Sequence, residues 1–148
     1  MPTRICKVLL LEDRDIDALL IRQTISYAPS LQLVHRAKNG KEVLSYLQGA
    51  GVYADRKRYP MPHVLILNLE MPNRDGFHVL EWLRTSPLKS SLRAVALASI
   101  EHPAYLDEAT ELGARCCLPK PCEEAAIKEF AAKLEHWCDL APPATTIV

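Results

Sequence analysis

The stretch VLILNLEMPNRDG, residues 64–76, contains the most apolar run of the chain, VLILNL, followed directly by polar and turn-forming residues. A short, continuous apolar run is typical of a strand buried on both faces, as in a parallel sheet. Pro72 and the pair Asp75-Gly76 predict a tight turn after this strand. Asn68 stands at the end of the predicted strand, where the chain reaches the edge of the sheet.

Other short apolar segments predict four further strands, at 5–11, 31–35, 94–98 and 116–119. Five segments with apolar residues three or four positions apart predict helices after the strands. In the first helix, from Asp15 to Tyr27, the residues at this spacing are Ile16, Leu19, Leu20, Gln23 and Ile25, of which Gln23 is polar. Residues 49–62 carry two glycines, two prolines and four charges, which predicts a loop. Alternating strands and helices predict a parallel α/β sheet covered on both faces.

The length of 148 residues predicts one domain, which we place at 1–139, with a tail at 140–148. Eighteen basic residues balance eighteen acidic ones, so no overall field favours nucleic acid or an anionic membrane. The local basic triplet Arg56-Lys57-Arg58 is typical of a solvated loop. The sequence has no signal-peptide pattern and no membrane-length apolar run, so we expect a cytoplasmic protein without nucleic-acid or membrane partners.

Five cysteines are present, and their odd number without a secretory signal favours reduced thiols. Neighbouring cysteines on a strand point to opposite faces, and no CxxC or histidine pair completes a tetrahedral zinc set. We therefore expect small buried apolar side chains rather than metal ligands. The cysteines are Cys6, Cys116, Cys117, Cys122 and Cys138.

Polar residues follow four of the predicted strands at the point where each strand ends. In open parallel sheets, ligand sites lie outside these carboxyl ends. One charged residue after a buried strand is ordinarily the place where the chain meets water. Several such residues on neighbouring strands are a more specific signal for a site. The strand-end residues are Glu12, Asp13, Asn68, Glu70, the apolar Ala98 with its hydroxyl neighbour Ser99, and Lys120.

Three motifs, LLLEDRDIDALL, LILNLEMPNRDG and LGARCCLPKP, resemble those of response-regulator receiver domains of bacterial two-component phosphorelays. The resemblance covers residues 5–138 and implies a flavodoxin-like, doubly wound (βα)5 fold with strand order 2-1-3-4-5. The long loop at 49–62 and the short C-terminal extension resemble single-domain receivers that partner bacteriophytochromes.

The resemblance implies roles for the residues at the strand ends. Glu12 and Asp13 match the acidic pair that holds Mg²⁺, and Glu70 matches the position that offers it a backbone carbonyl. Lys120 matches the lysine that pairs with the phosphoryl group. Three positions depart from the pattern. Asn68 stands where an aspartate accepts the phosphoryl group, Ala98 where a Ser or Thr binds it, and Cys117 where an aromatic switch residue is common.

These departures predict a degenerate receiver, or pseudo-receiver. The amide of Asn68 is neutral and a poor nucleophile, and one carboxylate fewer weakens Mg²⁺ binding. The alternative is a phosphoaccepting receiver, in which Asn68 replaces an original aspartate by design or another residue takes the phosphoryl group. Ala98 and Cys117 favour natural divergence, because one designed substitution would not introduce both. A one-residue shift of the fourth predicted strand would place the hydroxyl of Ser99 at the position of Ala98. It would also turn the neighbouring side chains to the opposite face of the sheet, so we do not favour it.

We therefore expect a non-enzymatic signalling module that binds a histidine kinase, a phytochrome-type photoreceptor or a downstream effector. The resemblance implies an interaction surface at 103–138, with Tyr105, Glu111 and Arg115 exposed, and the same surface offers a homodimer contact. A flavin-binding protein of similar fold is disfavoured, because the carboxylates of EDRD, residues 12–15, would repel the cofactor phosphate.

Overall fold

The strands of the protein form a single parallel sheet. The computed structural model describes residues 5–99, 102–120 and 124–140. The strands are β1 (Cys6–Leu11), β2 (Leu31–Ala37), β3 (Val64–Asn68), β4 (Arg93–Ala98) and β5 (Cys116–Pro119). The helices are α1 (Asp15–Ser26), α2 (Gly40–Gln48), α3 (Asp75–Arg84), α4 (Pro103–Glu111) and α5 (Glu124–Leu140). The strand order β2-β1-β3-β4-β5 confirms the predicted flavodoxin-like architecture.

Two apolar layers cover the sheet. Along β3, Leu65 and Leu67 face the layer that contains side chains of α2, α3 and α4, whereas Val64 and Ile66 face side chains of α1 and α5. Every residue of β3 is buried, which is why its sequence shows no polar alternation. Burying each large aliphatic side chain stabilises the fold by about 1.5–3 kcal/mol.

Helix α1 forms as predicted, but most of its predicted apolar residues do not pack on the sheet. Its buried side chains are Ala18, Ile21, Thr24 and Ile25. Ile16 is 77% exposed and Leu19 is 55% exposed. The helix therefore forms where it was predicted and Ile25 is buried, but Ile16 and Leu19 face outward because the face of α1 that packs in the core contains Ala18, Ile21 and Ile25.

The predicted loop at 49–62 contains a 3₁₀ helix at Gly51–Ala54 and packs through aromatic side chains. Tyr53 and Tyr59 lie against Tyr46, with ring centroids 5.1 and 6.0 Å from the Tyr46 ring. Arg56 donates hydrogen bonds of 2.8 and 3.0 Å to the carbonyls of Tyr46 and Leu47 at the end of α2. Arg56 therefore caps a helix and is not simply a solvated surface charge.

Glu42 anchors this loop to α2. Its carboxylate accepts hydrogen bonds from Tyr53 (2.9 Å) and from the backbone N–H of Lys38 (2.9 Å), and it lies 2.8 Å from His35 Nε2. Burial by itself would raise the pKa of Glu42, but the hydrogen bonds from Lys38, His35 and Tyr53 hold it below its ordinary value. Burial first, and then the hydrogen bond and the charge of Glu42, raise the pKa of Tyr53 to about 12.

We expect Glu42→Gln to lower the free energy of unfolding by about 1 kcal/mol near neutral pH, because a charge-assisted hydrogen bond is lost. Because the pKa of Glu42 is lower in the folded state than its unfolded value of 4.5, the ionised carboxylate stabilises the fold at pH values above 4.5. This stabilisation is lost as the pH falls through the folded pKa. The difference between wild type and variant should therefore shrink below about pH 4.5. Urea unfolding at several pH values measures it, with exposed Glu111→Gln as the control. A difference that grows on acidification would contradict the assignment.

The cysteines only partly match their prediction. Cys116 and Cys117 are free thiols and half-buried. Cys6 is disulfide-bonded, so the expectation of reduced thiols is wrong for this residue. Cys122, the side chain of Cys138 and residues 141–148 of the predicted tail lie outside the described residues. Leu140, the first residue of that tail, ends α5. In the part of the chain that the structure describes, no helix is long and apolar enough to cross a membrane.

Candidate functional site

The predicted site residues meet at the carboxyl edge of the sheet. Leu11 of β1 pairs with Leu67 of β3, so the next residues, Glu12 and Asn68, become neighbours across the two strands. Ala98 ends β4, and Lys120 directly follows β5. The backbone N–H of Lys120 donates to the carbonyl of Ala98 at 3.1 Å, which fixes the lysine beside this edge.

Asn68 is fully buried, with 0% exposure, and its amide is held at both ends. Nδ2 donates to Glu12 Oε1 at 3.1 Å and lies 3.5 Å from the carbonyl of Glu70. Oδ1 accepts a 2.9 Å hydrogen bond from the backbone N–H of Glu70. Because Nδ2 faces two acceptors and Oδ1 faces a donor, the hydrogen-bond network sets the orientation of the amide. Asn68 thus presents an N–H donor, and no nucleophilic oxygen, to the acidic residue beside it.

Glu12 is a buried carboxylate, 2% exposed, with three polar neighbours. Oε1 accepts from Asn68 and from the backbone N–H of Arg14 at 3.2 Å. Oε2 lies 3.8 Å from Lys120 Nζ. Burial raises the pKa of Glu12, against the Arg14 N–H and the charge of Lys120, which both lower it. Glu12 therefore has the desolvation of a buried site carboxylate.

The side chain of Lys120 contacts α1. Its Nζ donates to Asp17 Oδ2 at 3.3 Å, so it bridges Asp17 and Glu12. Asp17 was not among the predicted site residues. Its position in the first turn of α1, which follows the acidic residues after β1, is the sequence signal that would have found it.

Asp13 has one side-chain oxygen, Oδ1, that is buried and lacks a hydrogen-bond partner among the described residues. An orphaned buried carboxylate oxygen is costly unless a cation or water satisfies it. The predicted Mg²⁺ ligands Glu12 and Asp13 thus lie at the edge of the sheet. The described residues contain no group of three or more His, Cys, Asp or Glu side chains arranged to hold a metal ion.

The side chain of Glu70 points to the β4 side of the site. Its carboxylate accepts hydrogen bonds from the backbone N–H and the hydroxyl of Ser99, at 2.8 and 2.9 Å, and lies 3.2 Å from His102 Nε2. The strand register is regular, with Asn68 opposite Leu97 and Ala98 opposite Pro119. Ala98 therefore keeps the strand-end position, and the Ser99 hydroxyl binds Glu70.

We expect Glu70→Gln to lower the free energy of unfolding by about 1 kcal/mol, because the charge that strengthens the bonds from Ser99 is removed. The exposed Glu81→Gln on α3 is the matched control and should change stability by less than about 0.5 kcal/mol. Urea unfolding measures both. Equal effects of the two substitutions would show that the contacts of Glu70 with Ser99 and His102 contribute nothing.

Cys117 lies among residues of α4. Its Sγ lies 3.3 Å from Thr110 Oγ1 and 3.5 Å from the carbonyl of Leu106. Tyr105 is half-buried, stacked on His102 at 4.8 Å and edge-on to Phe77 at 5.4 Å. The prediction that Tyr105 is exposed is therefore wrong, because its ring fills space beside α3. Glu111 and Arg115 are exposed as predicted.

Comparison with known proteins identifies the family to which this fold belongs. The family model for the response regulator receiver domain matches residues 8–132. The response regulator Rcp1 of Synechocystis sp. is 25% identical over 113 residues, which cover 76% of this chain and 75% of Rcp1.

Solved structures give the same result. The crystal structure of a response regulator in red light signaling of R. palustris has a TM-score of 0.81 and 29% identity, and the match covers 96% of this chain and 100% of that one. The structure of the phosphorylated cyanobacterial phytochrome response regulator RcpA has a TM-score of 0.77 and 23% identity, and the match covers 95% of this chain and 99% of that one. At this identity the similarity supports the fold alone. The chain therefore belongs to the response regulator receiver domain family of two-component signalling and resembles its phytochrome-associated single-domain members.

Proposed function

We propose that this receiver does not accept a phosphoryl group at Asn68 and signals by binding partner proteins. The observation that carries the proposal is the 3.1 Å hydrogen bond from Asn68 Nδ2 to Glu12. An acyl phosphate forms when a charged carboxylate oxygen attacks phosphorus. At this position the chain offers an amide nitrogen whose lone pair is delocalised and which already donates a proton to Glu12.

Two further positions support the same proposal. Ala98 has no hydroxyl to donate to a phosphoryl oxygen, and the hydroxyl of Ser99 donates to Glu70. Cys117 is held against α4 and has no aromatic ring to move between buried and exposed positions. Catalysis of phosphoryl transfer depends on positioning and on charge neutralisation at the oxygens, and several of the groups that do this are replaced here.

Mg²⁺ would bind weakly at most. The orphaned Asp13 Oδ1 suits a hard cation, as do the Glu12 carboxylate and the Glu70 carbonyl. However, Asn68 Nδ2 donates a hydrogen bond to Glu12, and the Lys120 ammonium lies 3.8 Å from the other Glu12 oxygen. A bound cation would neutralise oxygen charge in this pocket. The donor Asn68 and the cation Lys120 oppose its entry.

A partner surface is available on two sides of the site. The predicted surface at 103–138 includes the exposed Glu111 and Arg115, and it would serve a homodimer or an effector. On α1, the exposed Ile16 and Leu19 form an apolar strip beside the Lys120–Asp17 pair. Exposed apolar side chains rimmed by charge are typical of protein contacts. A sensor histidine kinase or a phytochrome-type photoreceptor is the partner that the family suggests.

The alternative proposal is a phosphoaccepting receiver, in which Asn68 replaces an original aspartate or another residue accepts the phosphoryl group. A kinase assay separates the two. A histidine kinase is chosen that, once autophosphorylated, transfers its phosphoryl group to the Asn68→Asp variant. We expect the unaltered chain to bind this kinase in biolayer interferometry and to leave the phosphoryl group on it. Transfer to the unaltered chain would overturn the proposal, and so would absence of binding.

A further inference from the structure

A cavity of about 480 Å³ lies at the opposite edge of the sheet from Asn68. It is lined by the last turn of α3, the start of β4 and the segment after α4. Its apolar wall includes Leu80, Leu83 and Leu92, all buried. The volume is within the range of about 300–1,000 Å³ that is typical of small-molecule sites.

The polar wall of this cavity is almost entirely cationic. Four basic side chains line it, and no carboxylate among the described residues does so. Within the described ranges, Arg84, Lys89 and Arg115 form no ion pair. The fourth basic residue is Arg93, which is half-buried at the start of β4.

The four cations come from four different elements of the fold. Arg84 ends α3, Lys89 lies in the 3₁₀ helix Pro87–Ser90, Arg93 begins β4 and Arg115 precedes β5. Burial, and then the neighbouring charge of Arg115, lower the pKa of Arg93. Basic residues on a surface of zero net charge are ordinarily interspersed with acids. The convergence of four basic residues around one concave apolar surface, without an acidic residue among its described lining residues, is therefore unusual.

We infer that this cavity binds a small organic anion, with a phosphate or carboxylate head and an apolar body. The head would pair with the arginine guanidinium groups, whose planar forks match both kinds of oxyanion. The apolar body would fill the part of the cavity that lies against the leucine side chains. A concave site of this volume suits a small molecule better than a peptide, which would need an extended groove. This inference does not depend on the proposed function, because the site lies at the other edge of the sheet.

The test uses the full chain and two matched probes, 1-naphthyl phosphate and its uncharged counterpart 1-naphthol. Binding to ¹⁵N-labelled protein is followed by amide chemical shifts. We expect the phosphate to bind with a dissociation constant below about 1 mM at low salt, and naphthol to bind at least about ten-fold more weakly. The shifts should concentrate on residues 80–94 and 112–115. Inorganic phosphate alone should bind more weakly than naphthyl phosphate, because it covers no leucine.

Two variants locate the binding energy. Arg115→Gln, at an exposed position, should weaken naphthyl phosphate binding about ten-fold. Arg22→Gln, an exposed arginine on α1 far from the cavity, is the charge-matched control and should leave binding unchanged. Equal binding of naphthol and its phosphate would overturn the inference. So would equal effects of the two variants, shifts centred on Glu12 and Lys120, or no binding.

Discussion

Asn68→Asp is expected to make the stability of the protein strongly dependent on Mg²⁺. In the wild type, Asn68 Nδ2 donates to Glu12, whose carboxylate is buried. An aspartate at this position removes the donor and places a second carboxylate about 3 Å from the first, which is repulsive in a buried site. Without metal, the variant should lose about 1–3 kcal/mol of unfolding free energy.

Mg²⁺ should restore the stability of this variant, because a third charged oxygen ligand joins Glu12 and Asp13. Urea unfolding with EDTA and with excess Mg²⁺ measures the effect. The wild type should change little between the two conditions. Asn39→Asp is the control, since it makes the same charge change at the exposed N-cap of α2, where aspartate also caps well. If Asn68→Asp without metal were as stable as the wild type, residues 68 and 12 would not be in contact.

Gly76→Ala is expected to destabilise the protein by about 1–3 kcal/mol, although alanine favours a helix more than glycine does. A Cβ at this position would lie 2.7 Å from the backbone carbonyl oxygen of Asn68. Such contact with backbone cannot be relieved by rotating a side chain, so α3 or the end of β3 must move. The change therefore disturbs the candidate site as well as the packing.

Gly40→Ala is the graded control for this prediction. A Cβ there would lie 3.3 Å from Val79 Cγ2, which is tight but involves a side-chain atom. Thermal and urea unfolding should show a smaller loss for Gly40→Ala than for Gly76→Ala. The reverse order would mean that the close approach of α3 to the end of β3 is not rigid.

The sequence predicted the parts of the fold that depend on local pattern. The run at 64–69 identified the central strand, because a strand buried on both faces must be apolar throughout. The positions of Glu12, Asn68 and Lys120 followed from the rule that parallel strands end at one edge. Asn68 ends β3, and Glu12 and Lys120 directly follow β1 and β5.

The parts that the sequence did not predict depend on packing between distant segments. Ile16 and Leu19 were expected to have the helical spacing of an apolar face, yet they are exposed, since the contact surface of α1 is decided by the sheet beneath it. The aromatic packing of residues 49–62 on α2 has no periodic signal. The bonds of Glu70 to Ser99 depend on the conformation after β4, which propensity does not specify.

The most direct test of the account is the intact mass of the unaltered chain after incubation with acetyl phosphate and Mg²⁺. The Asn68→Asp variant, treated in the same way, reports whether the rest of the pocket supports the reaction. The account predicts no phosphoryl adduct on the unaltered chain, because the amide of Asn68 is a poor nucleophile and donates a hydrogen bond to Glu12. A stoichiometric, acid-stable and base-labile adduct on the unaltered chain would contradict it.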